Sequence, residues 1–140
     1  LPMGAVLATD AVAAGFVPGS HATTFGSGAL VAAAAAKTIE IMNRDKIAER
    51  AARMGDFAQA LFGELKDRFP DKIADVRGLG LMLGIELTFP GAEVWKELLG
   101  RGFILNLTQD TVLRLLPPLV IEQEDLKRFA EALGQVLARA

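Results

Sequence analysis

With 140 residues, 51% of them hydrophobic, and a formal net charge of -2, the chain can bury a real core and has no electrostatic basis for holding nucleic acid or an anionic membrane. It has no cysteine and one histidine, which excludes disulfides and thiolate metal sites, and no carboxylate cluster suggests a metal. No apolar run approaches the roughly 20 residues that a membrane-spanning helix needs, and the first residues lack the basic region and cleavage pattern of a signal peptide.

Met3 to Ala8 is short, apolar and unalternating, the pattern of a strand covered on both faces. Thr9 and Asp10 are placed to cap a brief helix from Ala11 to Ala14, which Gly15 breaks. Next comes Pro18-Gly19-Ser20-His21-Ala22-Thr23-Thr24-Phe25-Gly26-Ser27-Gly28-Ala29-Leu30, hydroxyls and glycines running into an alanine-rich helix from about Gly28 to Asn43. A helix N-terminus carries unsatisfied amides and partial positive charge, so hydroxyls and glycine amides gathered there suit a phosphate. The plainer alternative is that Ser27 is an N-cap and Thr23-Thr24 a turn. The alanines, with Leu30, Val31, Ile39 and Met42 among them, suit close helix packing.

Asp45 then reads as the N-cap of a long helix reaching Phe69, where Pro70 stops it. Ile47, Ala51, Met54, Ala58, Leu61, Leu65 and Phe69 recur at spacings of three and four, which makes one apolar stripe. From Lys72 the period changes. Ile73 to Val76 reads as a short strand, and Leu79, Leu81, Leu83, Ile85 and Leu87 alternate as a second. The second strand's other face holds Gly80, Met82, Gly84 and Glu86, and glycines on one face imply a close approach to the backbone.

Ala92 to Leu99 predicts a short helix with Val94, Trp95, Leu98 and Leu99 inward, ended by Gly100 and Gly102. Phe103 to Leu107 and Val112 to Leu116 predict two strands around a polar turn, and Pro117-Pro118 closes the second. Glu122, Glu124 and Asp125 put negative charge where a final helix begins, and Leu126, Phe129, Ala130, Leu133, Val136 and Leu137 form its stripe. Residues 46–140 therefore predict an α+β layer, with helices on one face of a small, largely antiparallel sheet. Residues 1–45 read as the tail of a separate α/β, parallel-sheet domain. A start at Leu1-Pro2 without an initiator Met reads as a piece cut from a longer protein.

Arg114 lies among apolar residues and shares a strand face with Val112 and Leu116, so it needs an anionic partner or an outlet to water. An internal salt bridge or a snorkelling side chain would meet that need without any ligand. His21 reads as a loop residue rather than a general base.

Three ordered stretches resemble the class III, fold-type I pyridoxal-phosphate aminotransferases, with the acetylornithine aminotransferase branch nearest. These are Ser20-His21-Ala22-Thr23-Thr24-Phe25-Gly26 with Leu1-Pro2-Met3-Gly4-Ala5 upstream, the run from Val76 to Glu86, and the run from Val112 to Leu119. Where the family commonly has Gly-Gly-Asn-Pro, this chain has Gly26-Ser27-Gly28-Ala29. The resemblance implies that Thr24, with Thr23 beside it, holds the cofactor phosphate of a partner subunit across a homodimer interface. It implies that Arg114 binds the substrate α-carboxylate.

It also implies that residues 1–45 end the large cofactor-binding domain and that 46–140 form the small C-terminal domain. The Schiff-base lysine would lie just upstream of Leu1; none of Lys37, Lys46, Lys66, Lys72, Lys96 or Lys127 stands in a matching motif. The implied parent is a cytoplasmic enzyme of arginine biosynthesis that moves an amino group from N-acetylornithine, or a similar terminal amine, to 2-oxoglutarate. The chain by itself is then expected to be inactive. The alternatives are another branch (ornithine, 4-aminobutyrate or β-amino-acid aminotransferase, or glutamate-1-semialdehyde aminomutase) and a non-catalytic dimerisation module.

Overall fold

A computed structural model of the chain describes residues 1, 3–24, 26 and 28–140. It divides into two compact units, Leu1–Asp45 and Lys46–Ala140.

The first unit holds a one-turn helix α1 (Asp10–Ala13) and a longer helix α2 (Ala29–Arg44). Thr9 occupies the N-cap position of α1 without a side-chain capping bond, and Gly28 occupies that of α2. The expected N-cap Ser27 lies outside the described residues. Met3 to Ala8 does not form the expected strand. A strand needs a neighbour for its amides and carbonyls, and none is found among the described residues of this unit. No residue of α2 is buried: Leu30, Ile39 and Met42 are exposed, and Val31, Ala34 and Ala35 are half-buried.

The second unit opens with α3 (Ile47–Arg68). Its N-cap position is Lys46, held left-handed at φ 49°, and not Asp45 as the sequence suggests. Asp45 instead ends α2, where its carboxylate accepts two hydrogen bonds from Arg44, at 2.7 and 2.8 Å. The strands β1 (Ile73–Leu79), β2 (Met82–Leu87), β3 (Asn106–Thr108) and β4 (Val112–Leu115) form an antiparallel sheet in the order β1-β2-β4-β3. α4 (Ala92–Gly100) lies between β2 and β3 in the chain, and α5 (Gln123–Leu137) closes it.

The apolar side chains of one sheet face meet the helices. Leu83, Ile85 and Leu87 on β2 and Leu113 and Leu115 on β4 join Phe62 and Leu65 of α3, Leu98 of α4 and Leu133 of α5 in one buried cluster. Phe129 of α5 stacks edge-on against Phe62 and Phe103, with ring centroids 5.7 and 5.6 Å apart. Each such fully buried side chain contributes roughly 1.5–3 kcal/mol. The other sheet face carries no helix of this unit.

Three expectations change here. The alternation from Leu79 to Leu87 is not one strand but the end of β1, a two-residue turn and β2, with Leu79 paired to Met82. Leu79 consequently lies on the open face and is 88% exposed. The chain reverses at Gly80, whose φ of 53° suits glycine, and α3 presses on that turn through Gly55. The strand expected over Phe103–Leu107 begins only at Asn106. Phe103 and Leu105 instead pack on the core, and the Leu105 carbonyl accepts a hydrogen bond from the Trp95 indole at 3.0 Å. Leu99 faces outward rather than inward, being one position past the buried Leu98.

Candidate functional site

Arg114 sits in the middle of the open sheet face. It projects from β4 opposite Gly84 on β2 and Asn106 on β3, while the flanking Leu113 and Leu115 turn into the core. It is exposed, and it forms no ion pair or side-chain hydrogen bond among the described residues. Among the described residues the side chain has an outlet to water and no salt bridge. Gly84 leaves the space beside it free of side-chain atoms on that strand.

The same face holds an ion cluster that sequence reasoning missed. Arg77 on β1, also opposite Gly84, donates from Nη1 to Glu86 Oε2 at 2.5 Å and to Asp75 Oδ2 at 3.0 Å. These bonds raise the Arg77 pKa above its ordinary value, that to Glu86 most. The bond from Arg77 holds the Asp75 carboxyl below the usual carboxylate range, against a smaller opposing effect of desolvation. Half of the signal was available: Asp75 and Arg77 lie two apart on one strand and Gly84 and Glu86 two apart on the next, so each pair shares a face of its strand, but it is the β1–β2 register that puts the two pairs on one face.

Arg50 of α3 fixes the segment by which β4 leaves the sheet. Its Nη2 donates to the carbonyls of Val120 and Ile121, at 3.2 and 2.9 Å, and to Glu122 Oε1 at 2.8 Å.

In the first unit, Thr23 Oγ1 accepts a hydrogen bond from the Gly26 amide at 3.1 Å, which makes it a local turn-forming hydroxyl. Thr24 is exposed, and its hydroxyl has no bond among the described residues. His21 is exposed, 3.3 Å from Ser20 Oγ through Nδ1, with its ring edge-on to Phe16 at 5.2 Å. The threonines and Arg114 thus belong to different units. Among the lysines, Lys37, Lys66, Lys96 and Lys127 each lie within 4 Å of a carboxylate. Lys72 donates to the carbonyls of Leu137 and Ala140 at the end of α5, and Lys46 takes the left-handed position before α3. No group of three or more metal-ligating side chains gathers among the described residues.

Residues 1–137 match the family model described as aminotransferase class-III. The acetylornithine aminotransferase of Methanothermobacter thermautotrophicus is 40% identical over 139 residues, covering 98% of this chain and 35% of that protein. An ornithine aminotransferase of Exiguobacterium sp. is 37% identical over 139 residues, covering 99% of this chain and 34% of its own length. Among solved structures, acetylornithine aminotransferase from Elizabethkingia anophelis superposes with a TM-score of 0.82 at 27% identity, over 96% of this chain and 34% of that one. Plasmodium falciparum ornithine delta-aminotransferase superposes with a TM-score of 0.80 at 28% identity, over 95% and 35% respectively. The chain thus spans about a third of the length of the curated relatives it matches.

Proposed function

This chain belongs to the class-III aminotransferases, and we propose that it is a C-terminal portion of a pyridoxal-phosphate enzyme that moves an amino group from N-acetylornithine, or a similar terminal amine, to 2-oxoglutarate. The observation that carries the proposal is Arg114: an exposed guanidinium on an open sheet face, with no carboxylate of the described residues bound to it. A planar guanidinium grips a carboxylate with two parallel hydrogen bonds, which fixes orientation as well as charge. In this reading Arg114 holds the substrate α-carboxylate, and that grip sets which atoms reach the reaction centre.

The segment before α2 fits a phosphate by its donor set. Thr24 offers a hydroxyl that no described residue engages, and glycine-flanked backbone amides add neutral donors toward a dianion. Thr23, whose oxygen is already engaged by Gly26, shapes the turn that presents Thr24. We assign Thr24 to the cofactor phosphate of the partner subunit in a homodimer, with Thr23 beside it. The bound cofactor supplies the electron sink that amino-group transfer requires.

On this reading residues 1–45 end the cofactor-binding domain, and 46–140 form the small domain that carries Arg114. The lysine that holds the cofactor is assigned to the part of the protein outside these residues, because all six lysines here fill structural or solvated positions. The chain alone is then inactive. The place of action is proposed as the cytoplasm; no helix among the described residues is long and apolar enough to cross a membrane. A second reading, with ornithine as donor, draws on the relatives of that name at 35 to 37% identity.

The test uses the full-length enzyme. Arg114→Lys keeps the charge but loses the two-pronged geometry, and a hydrogen bond to a charged group contributes about 1.5–3 kcal/mol. The expected loss in kcat/KM for the amino donor is roughly 10- to 150-fold, with cofactor affinity unchanged. Thr24→Val should do the reverse, weakening pyridoxal phosphate and sparing the carboxylate contact. Equal loss of cofactor affinity in both variants would overturn the assignment. Relative kcat/KM for N-acetylornithine and ornithine decides between the two donors.

A further inference from the structure

The sheet thins where Arg114 stands. Its pairing with Asn106 is the last that β4 makes with β3, and Leu115, the end of β4, has only Leu83 of β2 beside it. No strand resumes before Glu122, the N-cap of α5. Pro117 and Pro118 have no amide hydrogen to donate. Among the described residues the backbone bond inside the segment, from the Ile121 amide to the Pro118 carbonyl at 2.9 Å, ties it only to itself. Leu116, Leu119 and Val120 are exposed, while Ile121 packs against the core.

The hydrogen bonds that tie this segment to another element come from Arg50 of α3. Three oxygens gather on its Nη2: the carbonyls of Val120 and Ile121 at 3.2 and 2.9 Å, and Glu122 Oε1 at 2.8 Å. Its Nε is buried without a partner, so Nη2 carries every hydrogen bond the side chain makes among the described residues. The base of the side chain is fixed as well, because the Arg50 amide donates to the Lys46 carbonyl at 2.9 Å in the first turn of α3. We propose that Arg50 is a positioning residue for carboxylate binding: by holding the segment that follows β4, it fixes the strand end from which Arg114 projects. A forked guanidinium–carboxylate contact depends on geometry, so a tilt of that strand end weakens it. The inference rests on the reading of Arg114 as the carboxylate holder. It concerns the Arg114 backbone and holds whichever group the side chain meets before substrate arrives.

The experiment compares variants of the full-length, cofactor-loaded enzyme, with 2-oxoglutarate as the varied substrate. Arg50→Met keeps the apolar stem and removes the donors. It should raise KM roughly three- to tenfold with kcat and cofactor affinity little changed, below the roughly hundredfold that a 1 Å misplacement can cost. Arg50→Lys, a shorter cation that can still reach part of the acceptor set, should fall between that variant and wild type. Glu122→Gln leaves the two carbonyl contacts and should raise KM less, and adding it to Arg50→Met should change nothing further, because both act through one tether. A purely structural role for Arg50 predicts something else: a lower melting temperature and less active protein, hence a lower apparent kcat, at unchanged KM. An unchanged KM in Arg50→Met, or no recovery in Arg50→Lys, would overturn the proposal. Arg114→Lys measured alongside separates the two claims. If it raises KM while Arg50→Met does not, only the positioning role falls; if it leaves KM unchanged, the carboxylate reading falls and takes this one with it.

Discussion

Replacing Gly55 by alanine should destabilise the second unit, although alanine is the better helix former. Gly55 lies within α3, directly under the β1–β2 turn, and a methyl group there would overlap the Cα, carbonyl carbon and oxygen of Gly80. The obstacle is backbone, and Gly80 is already held at a φ of 53°, so neither side yields cheaply. Alanine in place of glycine in an open helix gains about 1 kcal/mol, whereas overpacking a close contact costs roughly 1–3 kcal/mol and more when backbone must move. The net expectation is a loss of about 2 kcal/mol. Gly63, about two turns further along the same helix, has nothing within 4 Å of an added methyl. Gly63→Ala should therefore stabilise by about 0.5–1 kcal/mol. Urea unfolding followed by circular dichroism, read as a midpoint shift at constant slope, measures both. Opposite signs support the packing argument; a neutral or stabilising Gly55→Ala would refute it.

Two further outcomes are expected. Mixed dimers of the full-length protein, pairing a Thr24→Val subunit with one that lacks the catalytic lysine, leave a single loaded site served by the partner's intact threonine. That site should bind cofactor with normal affinity, and the weakened affinity of the Thr24→Val homodimer would exclude a cross-subunit role. Asp75, whose folded pKa is depressed chiefly by its bond from Arg77, contributes stability that is complete above about pH 4 and is lost as pH falls through the lower folded value. Thermal melts between pH 5 and pH 2.5 should therefore drop less steeply for Asp75→Asn than for the parent, and equal slopes would exclude that contribution.

What could be read from the sequence follows from which physical signals are local. The α3 stripe and the inward set Leu83, Ile85 and Leu87 follow from periodicity, because burial on one face imposes a period that composition carries openly. The hairpin at Gly80 was hidden by the same signal. Leu79 continues the alternation numerically, and only the positive φ of Gly80 and the pressure from Gly55 show that the chain has turned. Lys46 in a left-handed cap is equally silent, because lysine is not a residue that announces such a conformation. Met3 to Ala8 has strand composition, but a strand depends on its neighbours as much as on its own residues.

The exposure of Arg114 was half legible: its face-mates were readable, but its lack of a partner among the described residues depends on which strands flank β4. Since the order is β1-β2-β4-β3, the strand beside it brings Gly84 and Glu86 rather than an acid directly opposite. The ion cluster went unread for the same reason, since it requires the β1–β2 register and not merely the residues.

The most direct test of the central claim is a crystal structure of the full-length enzyme, cofactor bound, soaked with a non-reactive dicarboxylate such as glutarate. The account predicts one carboxylate forked on the Arg114 guanidinium with two N–O distances of about 2.7–2.9 Å, and Glu86 still on Arg77. A dicarboxylate bound in the active site with neither end on Arg114, or Arg114 paired to a protein carboxylate in that complex, would contradict it.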